Sequence, residues 1–232
     1  MEISYLDFLE SYISSDESFD NVESILEWIN NIRENSFSEV KQKPLCDLKS
    51  WSYSGRYDSI DHSNNIFFSI KGLHIESSFS QLNNIDQPVF VQDEVGILGF
   101  IVKKINGLLY FLVQAKIEPG NIDSVQLSPT LQATKSNYTK KHLGKEPNYL
   151  SYFLKSKNKN ILFDSLQSEH SSRFYKKRNR NMIINVDEEI ELKDNYKWMT
   201  LRQIKTLMRH NNLVNMCTRS VISLIQFNNS RF

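Results

Sequence analysis

Two apolar runs, residues 96–105 (GILGFIVKKI) and 108–117 (LLYFLVQAKI), are separated by Asn106-Gly107 alone. Apolar runs rich in β-branched and aromatic residues read as strands. Asn-Gly between them signals a tight hairpin, because both central positions of that turn favour positive φ. A long antiparallel pair commits the chain to a sheet-centred fold. In 110–117 the two-residue period places Phe111, Val113, Ala115 and Ile117 on one face and Tyr110, Leu112, Gln114 and Lys116 on the other. Residues 125–134 read as one further strand, with Val125, Leu127, Pro129, Leu131 and Ala133 on one side. Its other side is Gln126, Ser128, Thr130, Gln132 and Thr134. A face meant only for solvent favours Lys, Glu and Asp. Amides and small hydroxyls suit a lining that hydrogen-bonds a polar ligand; an antiparallel sheet with an ordinary polar outer face is the alternative reading.

Around this centre the periodicity changes twice. Residues 20–34 carry Val22, Ile25, Leu26, Ile29 and Ile32 on one helical face, with Asp20 or Asn21 as cap. A helix over 3–13 precedes it. Strands are expected at 66–70, 73–76, 89–92, 96–105, 108–117, 125–134, 161–169 and from 174 into 186, with a short helix at 149–155. Thr200 caps a helix expected over 201–212, and a last one lies near 217–226. An antiparallel-rich sheet with flanking helices is an α+β fold. The expected division is a helical segment, 1–45, and a single module, 46–232.

Net charge narrows the function. With 28 basic and 27 acidic residues, no overall field draws nucleic acid or anionic lipid to the chain. The basic segment 173–180 therefore reads better as a site for a small anion than for a nucleic-acid backbone. Cys46 and Cys217 lack metal-ligand spacing, so no metal site is expected. The first residues lack the basic start and apolar core of a signal peptide. No apolar run approaches the about 20 residues that span a bilayer, and a cytoplasmic protein is expected.

Six motifs occur in order: FLVQAKIEPGN, LSPTLQATKSNY, LQSE, RFYKKRNRNM, WMTLRQI and NLVNM. Together with FFSIKGLHI (67–75) and QPVFVQDEVGILGFIVK (87–103), they make the chain resemble the NDP-hexose 2,3-dehydratase family of deoxysugar biosynthesis over about 28–227. The resemblance implies a Nudix-like fold. The metal-binding box with which that fold hydrolyses diphosphates does not occur in this sequence. It also implies loss of water across C2–C3 of an NDP-4-keto-6-deoxyhexose, without a cofactor, giving a 3,4-diketo sugar for a separate 3-ketoreductase. A catalytically silent sugar-nucleotide-binding module is the alternative. Members of the family carry two such modules in tandem where this sequence has one, so a homodimer is expected to replace the pair.

The resemblance then points to residues. Glu169 of LQSE is the leading acid–base candidate, with Glu118 as rival. Lys116 would stabilise charge on the C4 oxygen, and the Tyr138 phenol would donate to the leaving hydroxyl. Gln114, Asn121, Thr130, Gln132, Thr134, Ser136 and Asn137 are the motif positions expected to line the site. Arg173, Arg178, Asn179 and Arg180 are further substrate-binding candidates: if 174–184 is extended, Lys176, Arg178 and Arg180 share one face and Arg173, Lys177, Asn179 and Asn181 the other, and one of these faces is expected to hold the diphosphate, since guanidinium forks match phosphate oxygens.

Overall fold

The computed structural model describes residues 2–15, 19–55, 58–64, 67–79, 81, 83–134, 136 and 146–228. Two sheets organise them. A seven-stranded sheet has the order β11-β6-β5-β10-β9, with β7 paired to β6 and β8 to β5. Its strands are β5 (Gly96–Ile105), β6 (Leu108–Ile117), β7 (Val125–Ser128), β8 (Leu131–Ala133), β9 (Ile161–Ser168), β10 (Arg178–Asn185) and β11 (Tyr196–Met199). A four-stranded antiparallel sheet precedes it: β1 (Trp51–Ser54), β2 (Ser59–His62), β3 (Ser69–Ile75) and β4 (Ile85–Val91).

The hairpin forms at Asn106-Gly107, with φ of 50° and 89°, the left-handed values that such a turn requires. Beyond it β5 and β6 pair only from Val102↔Phe111 to Ile105↔Leu108. The strands then separate. β8 continues on β5 (Ile97↔Ala133) and β7 on β6 (Gln114↔Ser128). The expected strand 125–134 is therefore two strands joined at Pro129-Thr130, a correction with a physical reason. Proline cannot donate to a ladder, and the Thr130 hydroxyl instead donates to the Leu112 carbonyl and accepts from Ile101 N–H (2.9 Å). On its other side β5 runs parallel to β10, which is antiparallel to β9.

Both faces of the large sheet are covered. On one face Phe100, Val102, Phe111, Val113 and Ile183 pack against helices α1 (Tyr5–Ile13), α2 (Val22–Asn35), α4 (Leu201–Leu207) and α5 (Met216–Ile222). On the other, Ile97, Ile101, Leu112, Met182 and Ile184 meet Leu150 and Phe153 of α3 (Leu150–Lys155). Tyr110 and Leu112 are accordingly buried, and the polar character of that face of β6 is confined to Gln114 and Lys116. Gly99 allows α3 its close approach: a Cβ there would lie 2.1 Å from the Phe153 ring. Ser11, fully buried, ties α1 to both the sheet and α4, donating to the Leu109 carbonyl (2.6 Å) and accepting from Leu201 N–H (2.9 Å).

Several expected boundaries shift. The strands expected at 66–70 and 73–76 merge into one, β3, which starts at Ser69; residue 66 lies outside the described residues, and strands β1, β2 and β11 were not anticipated. β10 starts at Arg178 and not at 174, because Lys176 has φ of 52° and residues 170–174 form a turn closed by Arg173 N–H and Phe174 N–H to the His170 carbonyl. The Thr200-capped helix, with its Gln203 capping box, ends at Leu207. No described helix is long and apolar enough to cross a membrane.

Candidate active site

Where β5 and β6 part, the large sheet leaves an opening. It is bounded by the start of β5, the end of β6, β8, the end of β9, the start of β10 and the first turn of α5. Two adjoining cavities of about 310 and 250 Å³ share Leu98, Glu169, Asn179 and Cys217. Gln167, Ser168, His170, Asn181, Met216 and Ser220 are among the other walls of the first, and Gln92, Lys116, Glu118, Gln132, Thr134, Phe174 and Lys177 among those of the second. A third hollow, over Ser171, Phe174, Lys176, Lys177 and Arg178, also borders Glu169.

Glu169 follows the last residue of β9 and is common to all three hollows. Its backbone N–H donates to the Lys177 carbonyl (2.9 Å), which continues the β9–β10 pairing past Arg178↔Ser168. Asn179 Nδ2 donates to its carboxylate at 2.6 Å. Asn179 reaches it because the facing residue on β5 is Gly96, where a Cβ would come within 2.8 Å of Asn179 Oδ1. Glu118 accepts from Gln132 Nε2 (2.9 Å) and pairs with Lys116 (3.4 Å). Gln132 Oε1 accepts in turn from Asn215 Nδ2 (3.3 Å), just before α5. These bonds hold the two carboxylates and the lysine in fixed walls.

Two further groups line this opening, Lys177 buried and Cys217 half-buried. The Lys177 ammonium donates to the Glu94 carbonyl. Burial pushes its pKa below the ordinary lysine value, while Glu94, Glu169 and Asp93 oppose the shift. Burial pushes the Cys217 thiol up to about 12, with the Glu118 and Glu169 charges adding to the effect. The thiol is therefore an inert wall. Asn181, fully buried, donates from Nδ2 to Ser220 Oγ (2.7 Å), and its Oδ1 has no partner among the described residues.

The residues singled out from sequence fall into three groups. Glu169, Lys116, Glu118, Gln132, Thr134 and Asn179 come together around the cleft, and Arg178 borders the hollow beside it. Ser136 stands close behind, its N–H and Oγ bonded to Glu94 Oε2 (3.0 and 2.8 Å) and its Oγ 3.0 Å from Thr134 Oγ1. The structure does not bring the others to this opening. Thr130 is buried between strands. Asn121 Nδ2 ties the turn after β6 to the Lys116 and Ser124 carbonyls (3.3 and 2.8 Å). Gln114 is half-buried opposite Tyr196 and Ser128. Arg173 is exposed, with Nη1 on the Ser172 carbonyl at 3.3 Å. Arg180 points from the sheet face opposite Asn179 and grips Asp164, with Nε to Oδ1 at 2.7 Å. Tyr138 and Asn137 lie outside the described residues.

The sequence placed Lys177 and Asn181 beside Asn179 on one of the two faces weighed for the diphosphate, without assigning either a role, and did not point to Cys217, Ser220 or Glu94. Among the described residues no three His, Cys, Asp or Glu side chains gather as metal ligands would.

Comparison with known proteins agrees with the motifs. The profile of the NDP-hexose 2,3-dehydratase family matches residues 22–225. The chain is 44% identical over 204 residues to a dTDP-4-dehydro-6-deoxy-alpha-D-glucopyranose 2,3-dehydratase of Saccharopolyspora spinosa, covering 88% of this chain and 42% of that protein. It is 40% identical over 210 residues to the protein of the same description from Amycolatopsis orientalis, covering 88% and 45%. The chain thus spans less than half the length of these curated relatives. A solved structure, the crystal structure of an ADP compounds hydrolase, aligns with 81% of this chain and 95% of its own at 14% identity and a TM-score of 0.42. The extent of the family match is decisive: the chain belongs to the NDP-hexose 2,3-dehydratase family.

Proposed function

From that membership, we propose that this chain is a lyase that removes water across C2–C3 of a nucleoside-diphosphate-linked 4-keto-6-deoxyhexose. The relatives' names support dTDP as the nucleotide. The observation that carries the reading is the Glu169 carboxylate, aimed by Asn179 at 2.6 Å into a cleft that also holds Lys116 and Lys177. In the reaction the C4 keto group acidifies the C3 hydrogen. Glu169 takes that proton, and Lys116 faces the charge that develops on the C4 oxygen. The resulting enolate expels the C2 hydroxyl, and the enol that remains tautomerises to a 3,4-diketo sugar. A product with two adjacent carbonyls is reactive, so a 3-ketoreductase would consume it. The diphosphate lies along the basic rim of Arg178 and Lys176 beside Phe174.

The test is incubation with dTDP-4-keto-6-deoxyglucose, read by mass spectrometry as loss of one water. Glu169→Gln should retain nucleotide binding and lose about 100-fold or more in kcat, because the amide keeps the shape and cannot take a proton. Near-normal turnover in that variant would transfer the role to Glu118 or Tyr138. A second reading, binding without turnover, draws on the chain's span of under half of its relatives; intact substrate after binding would favour it.

Pairing of two copies belongs to the same proposal. Leu6, Tyr12 and Ile13 of α1 are 44–62% exposed, and the Tyr12 ring lies 5.8 Å from that of Phe227. A second chain seated there would cover them. A scattering mass near 27.2 kDa would remove the dimer, and twice that mass would support it.

A further inference from the structure

We propose that Lys177 is the general acid of the elimination, passing an ammonium proton to the departing C2 oxygen; this rests on the dehydratase reading above. The contrast among lysines carries the argument. Lys103, Lys104, Lys116 and Lys197, whose side chains are 12–24% exposed, each pair with a carboxylate: Glu189, Asp7, Glu118 and Asp20. Lys177 is buried where each of those four residues is only half-buried. Yet among the described residues no carboxylate lies within the 4.0 Å of an ion pair, and its ammonium bonds only the neutral Glu94 carbonyl. Burying an ammonium with no carboxylate in direct contact is costly, so packing alone does not choose it. An ammonium has three donors, and here one is used. The side chain lines two of the hollows that Glu169 also borders, so the unused donors and the carboxylate serve one space.

The charged groups around it fit the role. Glu94 and Asp93 face it from the segment before β5, and Glu169 from the end of β9. Lys176 and Arg178 flank it in its own segment, and Lys116 and Glu118 stand across the cleft. Burial lowers its pKa against those carboxylates. Such a lysine releases its proton more readily than an exposed one.

The step balances. Glu169 takes the C3 hydrogen as a proton, and the C–H electron pair becomes the C3–C4 double bond of the enolate. The enolate oxygen re-forms the C4 carbonyl, the C3–C4 pair shifts to make a C2–C3 double bond, and the C2–O bond breaks with its pair going to the oxygen as the Lys177 proton moves there. Water leaves. On tautomerisation C2 receives the proton held by Glu169, and the 3-hydroxyl proton returns to Lys177. Both side chains end as they began.

The test changes the leaving group. Wild type, Lys177→Met, Lys177→Arg and Glu169→Gln are assayed on dTDP-4-keto-6-deoxyglucose and on its 2-deoxy-2-fluoro analogue, from which fluoride departs without a proton. Lys177→Met should lose about 100-fold or more on the natural substrate and recover most of the wild-type rate of fluoride release. Lys177→Arg keeps the charge but holds its proton too tightly to give it up, and should follow the same pattern. Glu169→Gln should fail on both, since C3 must lose its proton either way. Equal loss on both substrates in Lys177→Met, with dTDP affinity and melting temperature intact, would overturn the proposal. So would wild-type rates in Lys177→Met, or restored water loss in Lys177→Arg. If Lys177→Met does not fold, the contrast between substrates in Lys177→Arg decides alone. A wild-type chain that binds dTDP and eliminates neither water nor fluoride would remove the dehydratase reading itself, and this proposal with it.

Discussion

The two sheets are built from strands of overlapping length and differ in what lies against them. In β5 and β6, residues 96–102 and 108–113 are buried throughout, with helices on one face and α3 on the other. In β1 to β4 only Ser59 and Val89 are buried. The small sheet is held by a run of aromatic contacts. Trp51 meets Phe68 at 5.1 Å, Phe68 meets Phe90 at 4.9 Å, and Phe90 meets Phe174 at 5.4 Å. Its link to the large sheet is narrow: Phe90 N–H to the Arg173 carbonyl and Tyr175 N–H to the Phe90 carbonyl, both 2.8 Å. The lesson lies in that junction. One region supplies stability through a two-sided core. The other reaches the cleft through Phe174, and through the segment after β4 that carries Gln92 and Glu94.

Substitutions can break this comparison. Phe100→Ala, in the core of the large sheet, should cost about 3–5 kcal/mol in urea unfolding through the cavity that it leaves. A loss under about 1 kcal/mol would mean that the large sheet does not carry the stability. Phe90→Ala should cost less, about 1–2 kcal/mol because the ring is only partly enclosed, yet lower turnover along with stability. An unchanged kcat would uncouple the small sheet from the cleft. Phe67→Ala, at a ring that is 46% exposed, should stay within about 0.5 kcal/mol and leave kcat intact.

Acid sharpens the contrast further. Burial raises the Asp7 carboxyl, but hydrogen bonds from Lys104 and Ser4 and the Lys104 charge outweigh it and hold the pKa below the usual carboxylate value. A group depressed in the fold stabilises above its unfolded pKa and loses that contribution as pH falls through the folded one. Asp61 is also lowered, by the hydroxyls of Ser59 and Ser54, but at a solvent-open position. Global stability followed from pH 5 down to about 3 should therefore become less pH-dependent in Asp7→Asn and change little in Asp61→Asn. Equal effects from both would mean that the small sheet shares the global unfolding unit.

What was legible in the sequence has a common physical basis. Strands β5 and β6, the Asn106-Gly107 turn, the apolar face of α2 and the Thr200 cap all depend on residues near each other along the chain. Periodicity and turn chemistry are local, so the sequence by itself determined them. The motifs determined the family. The rest depended on pairing between distant segments. Pro129 and Thr130 divide an alternating run because β5 and β6 separate and need different partners. Arg180 and Asn179 are chain neighbours, yet one grips Asp164 and the other aims Glu169, and only the pairing with β9 and β5 decides which face meets the cleft. Lys177 sits in a segment of Lys and Arg that reads as an anion site, with nothing to single out one cation for burial. Its burial against Glu94 exists only once β10 lies beside β5, because desolvation is a property of the assembled structure and not of the residue.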